Sequence, residues 1–202
     1  MITKEKIIHK SAELFNTYGY HACSLSHIME ATGLQKGGIY NHFKNKDEIA
    51  IAAFNYSYNL VINRFKEMLE KAITPTEKLL AIIDVFVSFV DKPIVNGGGC
   101  PIFNTAMDAT NTHPQLKEKA KAGIKGLKKY VEIKLKEGIA AREIRSDINT
   151  SKVATLLVAT LEGAIIVSRV ENDRECLTYA SDYVKQYLYK NLLINKPVNS
   201  VG

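Results

Sequence analysis

The chain has 202 residues, of which 46% are hydrophobic and 24% are charged, and these values exclude a disordered or collagen-like protein. Its 27 basic and 21 acidic residues give a net charge of +6, which permits nucleic acid as a partner but does not require it. The three cysteines, at positions 23, 100 and 176, exclude a disulfide framework and favour a reducing compartment. No cysteine lies at metal-ligand spacing with a histidine, so we expect no metal and no cofactor.

The N-terminus alternates charge and lacks the apolar run of a signal peptide, so we expect a cytoplasmic protein. The most apolar stretch, residues 153–167, is only 15 residues long and contains Glu162. A stretch so short and charged is not expected to span a bilayer, and we expect no membrane partner.

Apolar residues recur at helical spacing through nearly the whole chain, and strand signals are missing, which predicts an all-α fold. The first three helices are short. The first ends at Gly19, the second runs from an N-cap at Ser24 to Gly33, and the third spans about 36–43. A long fourth helix begins at Asn45 or Asp47.

Longer helices follow a small N-terminal head. They are predicted from Pro75 to before Pro93, and over about 114–141, 150–170 and 174–193. No linker separates independent domains, so we predict a helix-turn-helix head over 1–46 and a larger helical body over 47–202.

The third predicted helix has the composition of a major-groove reader. Ile39 and Phe43 would anchor it inward, while lysine, asparagine, tyrosine and histidine side chains point outward as donors to bases and phosphates. Residues 1–46 contain six lysines and three acidic residues, so half of the net charge lies in under a quarter of the chain. Composition and spacing alone leave DNA binding and an ordinary solvated surface equally open.

A longer motif decides between these interpretations. The segment Gly33–Lys46 reads Gly-x-x-Lys-Gly-x-Ile-Tyr-x-His-Phe-x-x-Lys, and residues 8–49 as a whole resemble the DNA-binding domain of the tetracycline-repressor (TetR) family. The resemblance implies a homodimer that places the third helix of each subunit in successive major grooves of a near-palindromic, double-stranded operator. It implies a transcriptional repressor that a small-molecule effector releases from DNA, and a protein that is not an enzyme.

Position by position, the resemblance also implies a set of residues that contact DNA bases or phosphates. They are Ser24, Ser26, Lys36, Gly37, Gly38, Tyr40, Asn41, His42 and Lys46. Three positions depart from the common family pattern, namely Glu5, Met29 and Gln35.

The last two helices have the marks of a subunit interface. Apolar residues cover more than half of the circumference of the helix over 150–170, so it must be buried on two sides. Tyrosines on the final helix suit an interface because each has an apolar body and a polar tip. The residues expected at the interface are Leu157, Leu161, Ile165, Tyr183 and Tyr187.

The middle helices are expected to surround a largely apolar effector, since they combine aromatic, methionine and polar side chains. The residues expected to contact it are Phe86, Phe89, Val90, Cys100, Phe103, Asn104, Met107, Tyr130 and Glu162. A simple core role would explain the same pattern, and Glu162 is as readily a structural hydrogen-bonding group. The loop Asn96–Gly99 is expected to be flexible and a moving part.

An alternative is a helical protein that does not rely on DNA. It would bind a small molecule, or use Cys100 as a redox sensor or as a nucleophile with Asp108 and His113. No motif of an enzyme family supports it. The lysine-rich segment 115–136 is interpreted as a solvated face, with an anionic ligand or a membrane surface as open alternatives.

Overall fold

The computed structural model describes residues 3–194, and the secondary structure in this part of the chain is helical apart from one antiparallel bridge between Ile144 and Leu193. The nine α-helices found there are α1 Thr3–Ala22, α2 Leu25–Thr32, α3 Lys36–Tyr40, α4 Lys46–Leu69, α5 Pro75–Asp91, α6 Pro101–Ala109, α7 Pro114–Ala140, α8 Thr150–Glu171 and α9 Glu175–Tyr187. A π-helical turn, Leu188–Leu192, continues α9.

The helix boundaries follow from local chemistry. Helix α1 is interrupted at Gly19, which adopts φ 78°. Asn45 accepts the backbone N–H of Glu48 and so caps α4. Pro75 opens α5 and Pro114 opens α7, positions where a missing N–H costs no helical hydrogen bond. The predicted boundaries are therefore close to the observed ones, although α3 ends at Tyr40 and not at Phe43.

Contacts divide the described chain into two units. The first takes the chain up to Asn63 together with Lys92–Ile124, and the second takes Arg64–Asp91 with the chain from Lys125 onward. Residues 47–63 thus share a unit with the helix-turn-helix head, so this division does not fall at residue 46. The functional division into a 1–46 head and a 47–202 body stays a prediction.

In the first unit α1 packs on both α2 and α6, and in the second unit α5, α8 and α9 pack on one another. Helix α8 is long and apolar enough to cross a membrane by length and composition alone, and half of its most apolar 18-residue window is buried in the protein. Packing against α5 and α9 accounts for the buried half of that apolar surface.

Candidate nucleic-acid interface

The head has its own small core. Its buried side chains come from α1, α2, α3 and the start of α4, and they are Ile7, Cys23, Ile28, Ile39, Phe43 and Ile49. Ile39 is fully buried and Phe43 is 5% exposed, as predicted for the inward face of the third helix. The position of α3 is therefore fixed by apolar contacts on one side only.

The turn between α2 and α3 is built as predicted. Ser24 caps α2: its hydroxyl accepts the backbone N–H of His27, and its own N–H donates to Nδ1 of His27. Gly33 ends α2 in the left-handed conformation, at φ 68°. These two caps set the short turn that leads into α3.

The outer face of α3 is largely exposed, and the Lys36 Nζ lies 5.8 Å from the centre of the Tyr40 ring on the same face. The side chains of Lys36, Asn41 and His42 are exposed, and Tyr40 is 41% exposed. A Cβ atom built on Gly37 would meet nothing within 4 Å. Since glycine weakens a helix by about 1 kcal/mol relative to alanine, and no neighbour requires it here, the missing side chain leaves room for something outside the chain.

The other residues predicted to contact DNA border this face. Ser24 and Ser26 are exposed, and Gly38 is half-buried beside Leu34. Lys46 is half-buried, with its Nζ 4.1 Å from the centre of the Tyr20 ring. All nine predicted residues lie in the first unit.

Tyr20 lies between Lys46 and the buried side chain of His113. Its hydroxyl donates to Asp47, and its ring lies edge-on to the ring of His113, with centroids 4.7 Å apart. Burial, reinforced by the hydrogen bond and charge of Asp47, raises the pKa of Tyr20 to about 12. Nε2 of His113 lies 3.6 Å from the Asp47 carboxylate. The ring that supports Lys46 is thus held from two sides.

Two further lysines lie beside the recognition face and were not predicted. The Nζ of Lys4 lies 5.5 Å from the centre of the Phe43 ring. Lys44 follows Phe43 directly in the chain. Both line an open groove of about 390 Å³ together with Tyr40, Asn41 and Glu48. Lys4 comes from the start of α1, so no local pattern relates it to α3.

The residues predicted for a subunit interface on α8 lie largely inside the single chain, and their role at an interface stays a prediction. Leu157, Leu161 and Ile165 are at most 4% exposed within the single chain, so these side chains have little surface left for a partner. The exposed apolar side chains of the same helix are instead Leu156, Val167 and Val170. Periodicity could not separate the two sets because α8 is apolar on both faces.

On α9, the predicted interface residue Tyr183 is 64% exposed and Tyr187 is half-buried. These tyrosines and Leu156 line an apolar cavity of about 130 Å³ on the surface formed by α8 and α9. Gly163 is exposed, and a Cβ atom there would meet nothing within 4 Å.

The predicted effector contacts fall in both units. In the second unit, Phe86 and Phe89 are fully buried, and Phe65 makes edge-on ring contacts with both of them and with Tyr130. Val90 is half-buried there, and Glu162 is 1% exposed.

In the first unit, Cys100 is 1% exposed, Phe103 and Asn104 are half-buried, and Met107 is 68% exposed. A cavity of about 30 Å³, the size of one or two waters, lies among α1, α4, α6 and α7 and is lined by other residues. The effector contacts therefore stay a prediction.

The residues considered for catalysis have other partners. Oδ2 of Asp108 accepts the backbone N–H of Tyr20 at 2.7 Å, and Nδ1 of His113 accepts the N–H of Leu116. Among the described residues, no three histidine, cysteine, aspartate or glutamate side chains are grouped to hold a metal ion.

The loop Asn96–Gly99, which was expected to be flexible, is held in place by side-chain amides. Asn16 of α1 donates to the carbonyl oxygens of Asn96 and Gly98, and Asn104 of α6 also donates to Gly98. The two bonds from Asn16 join parts of the chain that are 80 and 82 residues apart, which sequence spacing does not reveal.

Two family models match the chain. The model described as "Bacterial regulatory proteins, tetR family" matches residues 7–53, and "Tetracyclin repressor-like, C-terminal domain" matches residues 75–184. A crystal structure of a TetR transcriptional regulator from Chloroflexus aurantiacus is 36% identical, with a TM-score of 0.92 over 96% of this chain and 97% of that one.

Two relatives from Bacillus subtilis strain 168 extend over almost the same length. An uncharacterized HTH-type transcriptional regulator, YxaF, is 26% identical over 90% of this chain and 93% of its own. A fatty acid metabolism regulator protein is 24% identical over 93% of this chain and 94% of its own.

Proposed function

Since the chain belongs to the TetR family of bacterial DNA-binding transcriptional regulators, we propose that it is a repressor that leaves a near-palindromic operator when a small molecule binds. Regulators of this family bind operators as dimers, respond to small-molecule effectors and are normally not enzymes. The bare outer face of α3 carries the proposal. We place the regulator in the cytoplasm, where operator DNA is accessible.

In this proposal α3 enters the major groove. Lys36 donates to guanine and Asn41 pairs with adenine, while Tyr40 and His42 donate to phosphates. Gly37 and Gly38 let the backbone come close to DNA, which explains a glycine that nothing within the chain requires.

Phosphate contacts from neighbouring elements fix the register of the head on DNA. Ser24 and Ser26 contribute them from the start of α2, and Lys46 contributes one from the start of α4. The Tyr20 ring below Lys46 limits where its ammonium group can lie. Lys4 and Lys44 border the same face and add positive charge toward the backbone.

The experiment begins with selection of the operator from random double-stranded DNA by the purified protein. Lys36→Ala and Asn41→Ala are expected to lose base preference at defined positions, by about 1–3 kcal/mol each. Lys71→Ala, which alters an exposed lysine in the turn after α4, is the matched control and should bind like wild type. Unchanged base preference in both recognition variants would contradict the role of α3.

The dimer is proposed to form through the exposed stripe on α8 and the tyrosines of α9. Leu156, Gly163, Val167 and Val170 follow one another at helical spacing on one face of α8. Leaving these side chains in water is unfavourable, and the open space at Gly163 allows close approach of another helix. In the dimer the two recognition helices would lie about 34 Å apart, one turn of DNA.

Sedimentation equilibrium tests this interface. Leu156→Glu would bury an unpaired charge in the dimer and is expected to weaken dimerisation by about a hundredfold or more. Ile73→Glu is the matched control, since Ile73 is 83% exposed and lies outside the stripe. Equal dimerisation of Leu156→Glu and wild type would place the interface elsewhere.

The effector is proposed to be a largely apolar small molecule. The edge-on aromatic rings around Phe86, Phe89 and Tyr130 supply an apolar environment for it in the second unit. A coupling free energy of about 1–3 kcal/mol would change the affinity for the operator by roughly 5- to 150-fold. A thermal-shift screen with apolar and amphipathic compounds identifies candidates, and a true effector must also weaken operator binding.

A further inference from the structure

Helix α1 is attached to α6 and to the loop before it by an amide clasp, defined here as Asn16, Asn96, Gly98 and Asn104. Nδ2 of Asn16 donates to the carbonyl oxygens of Asn96 at 3.0 Å and Gly98 at 3.1 Å. Oδ1 of Asn16 accepts Nδ2 of Asn104 at 2.8 Å, and the same Nδ2 reaches the Gly98 carbonyl at 3.0 Å. Asn16 thus uses both donors and its acceptor within the clasp, which fixes its orientation.

The loop backbone is shaped for this contact. Gly97, Gly98 and Gly99 have φ values of 94°, 69° and 71°, a left-handed run that L side chains disfavour. A Cβ atom on Gly97 would lie 2.5 Å from Oγ1 and 2.9 Å from Cα of Thr17. Only glycine therefore allows the loop to lie this close to α1.

A second attachment lies one helical turn further along α6, where it meets α1 just beyond the break at Gly19. Where α1 breaks at Gly19, Oδ2 of Asp108 accepts the backbone N–H of Tyr20 at 2.7 Å. Asn16 and Tyr20 are four residues apart on α1, and their partners Asn104 and Asp108 are four apart on α6. The two contacts hold α1 on each side of its break, and together they limit how far it can shift or rotate on α6.

Apolar packing alone would not set that rotation. The apolar clusters of the same unit include Ala12, Ala53, Ala109 and Phe15, and apolar contacts of this kind are non-directional. Hydrogen bonds are directional, and each has a small net effect on stability because water can replace it. The polar contacts therefore control orientation more than they control folding.

We propose that Asn104 and Asp108 are positioning residues for DNA binding, which hold α1 in one orientation on α6. Helices α2 and α3 share their core with α1 through Ile7, Ile28 and Ile39, so they move with it. Because the inference rests on the proposed function, it applies to a dimer that must fit two half-sites at once. Loss of the clasp would leave each head folded, but its orientation would no longer be fixed.

The test uses the selected operator and two versions with one or two base pairs inserted between the half-sites. Asn104→Ala/Asp108→Ala is compared with wild type and with Asn111→Ala, which alters an exposed asparagine in the turn after α6. Wild type and the control should strongly prefer the native spacing. The double variant should bind the native operator about tenfold more weakly, yet bind the lengthened operators within about twofold of wild type.

Comparing the three operators separates a positioning role from a merely structural one, since an unfolded head would bind all three operators equally weakly. Gly97→Ala, which lifts the loop from Thr17, provides an independent variant should the double variant fold poorly, and it should lose the same spacing preference. Equal weakening on all three operators, or an unchanged preference for native spacing, would overturn the inference. A wild-type protein without selective operator binding would overturn the proposed function and the inference with it.

Discussion

Replacement of Ile39 by alanine tests whether α3 is held from one side only. Ile39 is fully buried in the core of the head, while the neighbouring Tyr40 is 41% exposed. The substitution removes three carbon atoms, worth about 2.4 kcal/mol at roughly 0.8 kcal/mol each. The cavity left behind adds to this loss, so the expected destabilisation is about 3–4 kcal/mol.

The free energy of unfolding is measured by urea denaturation followed by circular dichroism, at one fixed protomer concentration because oligomer stability depends on it. Tyr40→Ala is the control and should change stability by no more than about 0.5 kcal/mol, while weakening DNA binding. A loss below about 1 kcal/mol for Ile39→Ala, or an equal loss for Tyr40→Ala, would refute the assignment of inner and outer faces.

Three further predictions concern the cap at Ser24, the hydroxyl of Tyr20 and the three cysteines. Ser24→Ala should cost about 1 kcal/mol of stability and Ser24→Gly only a few tenths, because the hydroxyl caps α2; equal effects in thermal unfolding would argue against the cap. Folding raises the pKa of Tyr20 from 10.0 to about 12. The hydroxyl therefore contributes fully to the free energy of unfolding below pH 10, and this contribution is lost as the pH rises to 12. The stability difference between wild type and Tyr20→Phe should shrink across that window, and a constant difference would contradict the shift. Cys23 and Cys100 are buried and Cys176 is half-buried, so a thiol reagent should label only Cys176 quickly in the native protein; rapid labelling of all three would contradict that burial.

The local signals in the sequence predicted the head accurately. Ser24 and Gly33 act through their nearest neighbours, so a cap or a left-handed turn can be recognised without the rest of the fold. Ile39 and Phe43 were placed inward because four residues separate them on one helical face. The family motif added what spacing could not, namely that the outer face of this short helix belongs to a DNA reader.

The remaining features depend on contacts that leave no local pattern. Leu156 and Leu157 are adjacent on a helix that is apolar over more than half of its circumference, and only the packed structure shows which one stays exposed. Asn16 and Asn104 are 88 residues apart, and each would pass for an ordinary polar surface residue. The glycine loop indicated flexibility, yet its left-handed backbone serves a close contact with α1.

Sequence-specific binding is tested most directly by fluorescence anisotropy with the selected operator and a scrambled DNA of equal length, each at two salt concentrations. The chain should bind the operator at least about a thousandfold more tightly than the scrambled DNA. Binding to both DNAs should weaken as salt rises, and Lys46→Ala should lower the salt slope by about 1. Equal affinity for operator and scrambled DNA would contradict the conclusion that the exposed face of α3 reads a DNA sequence.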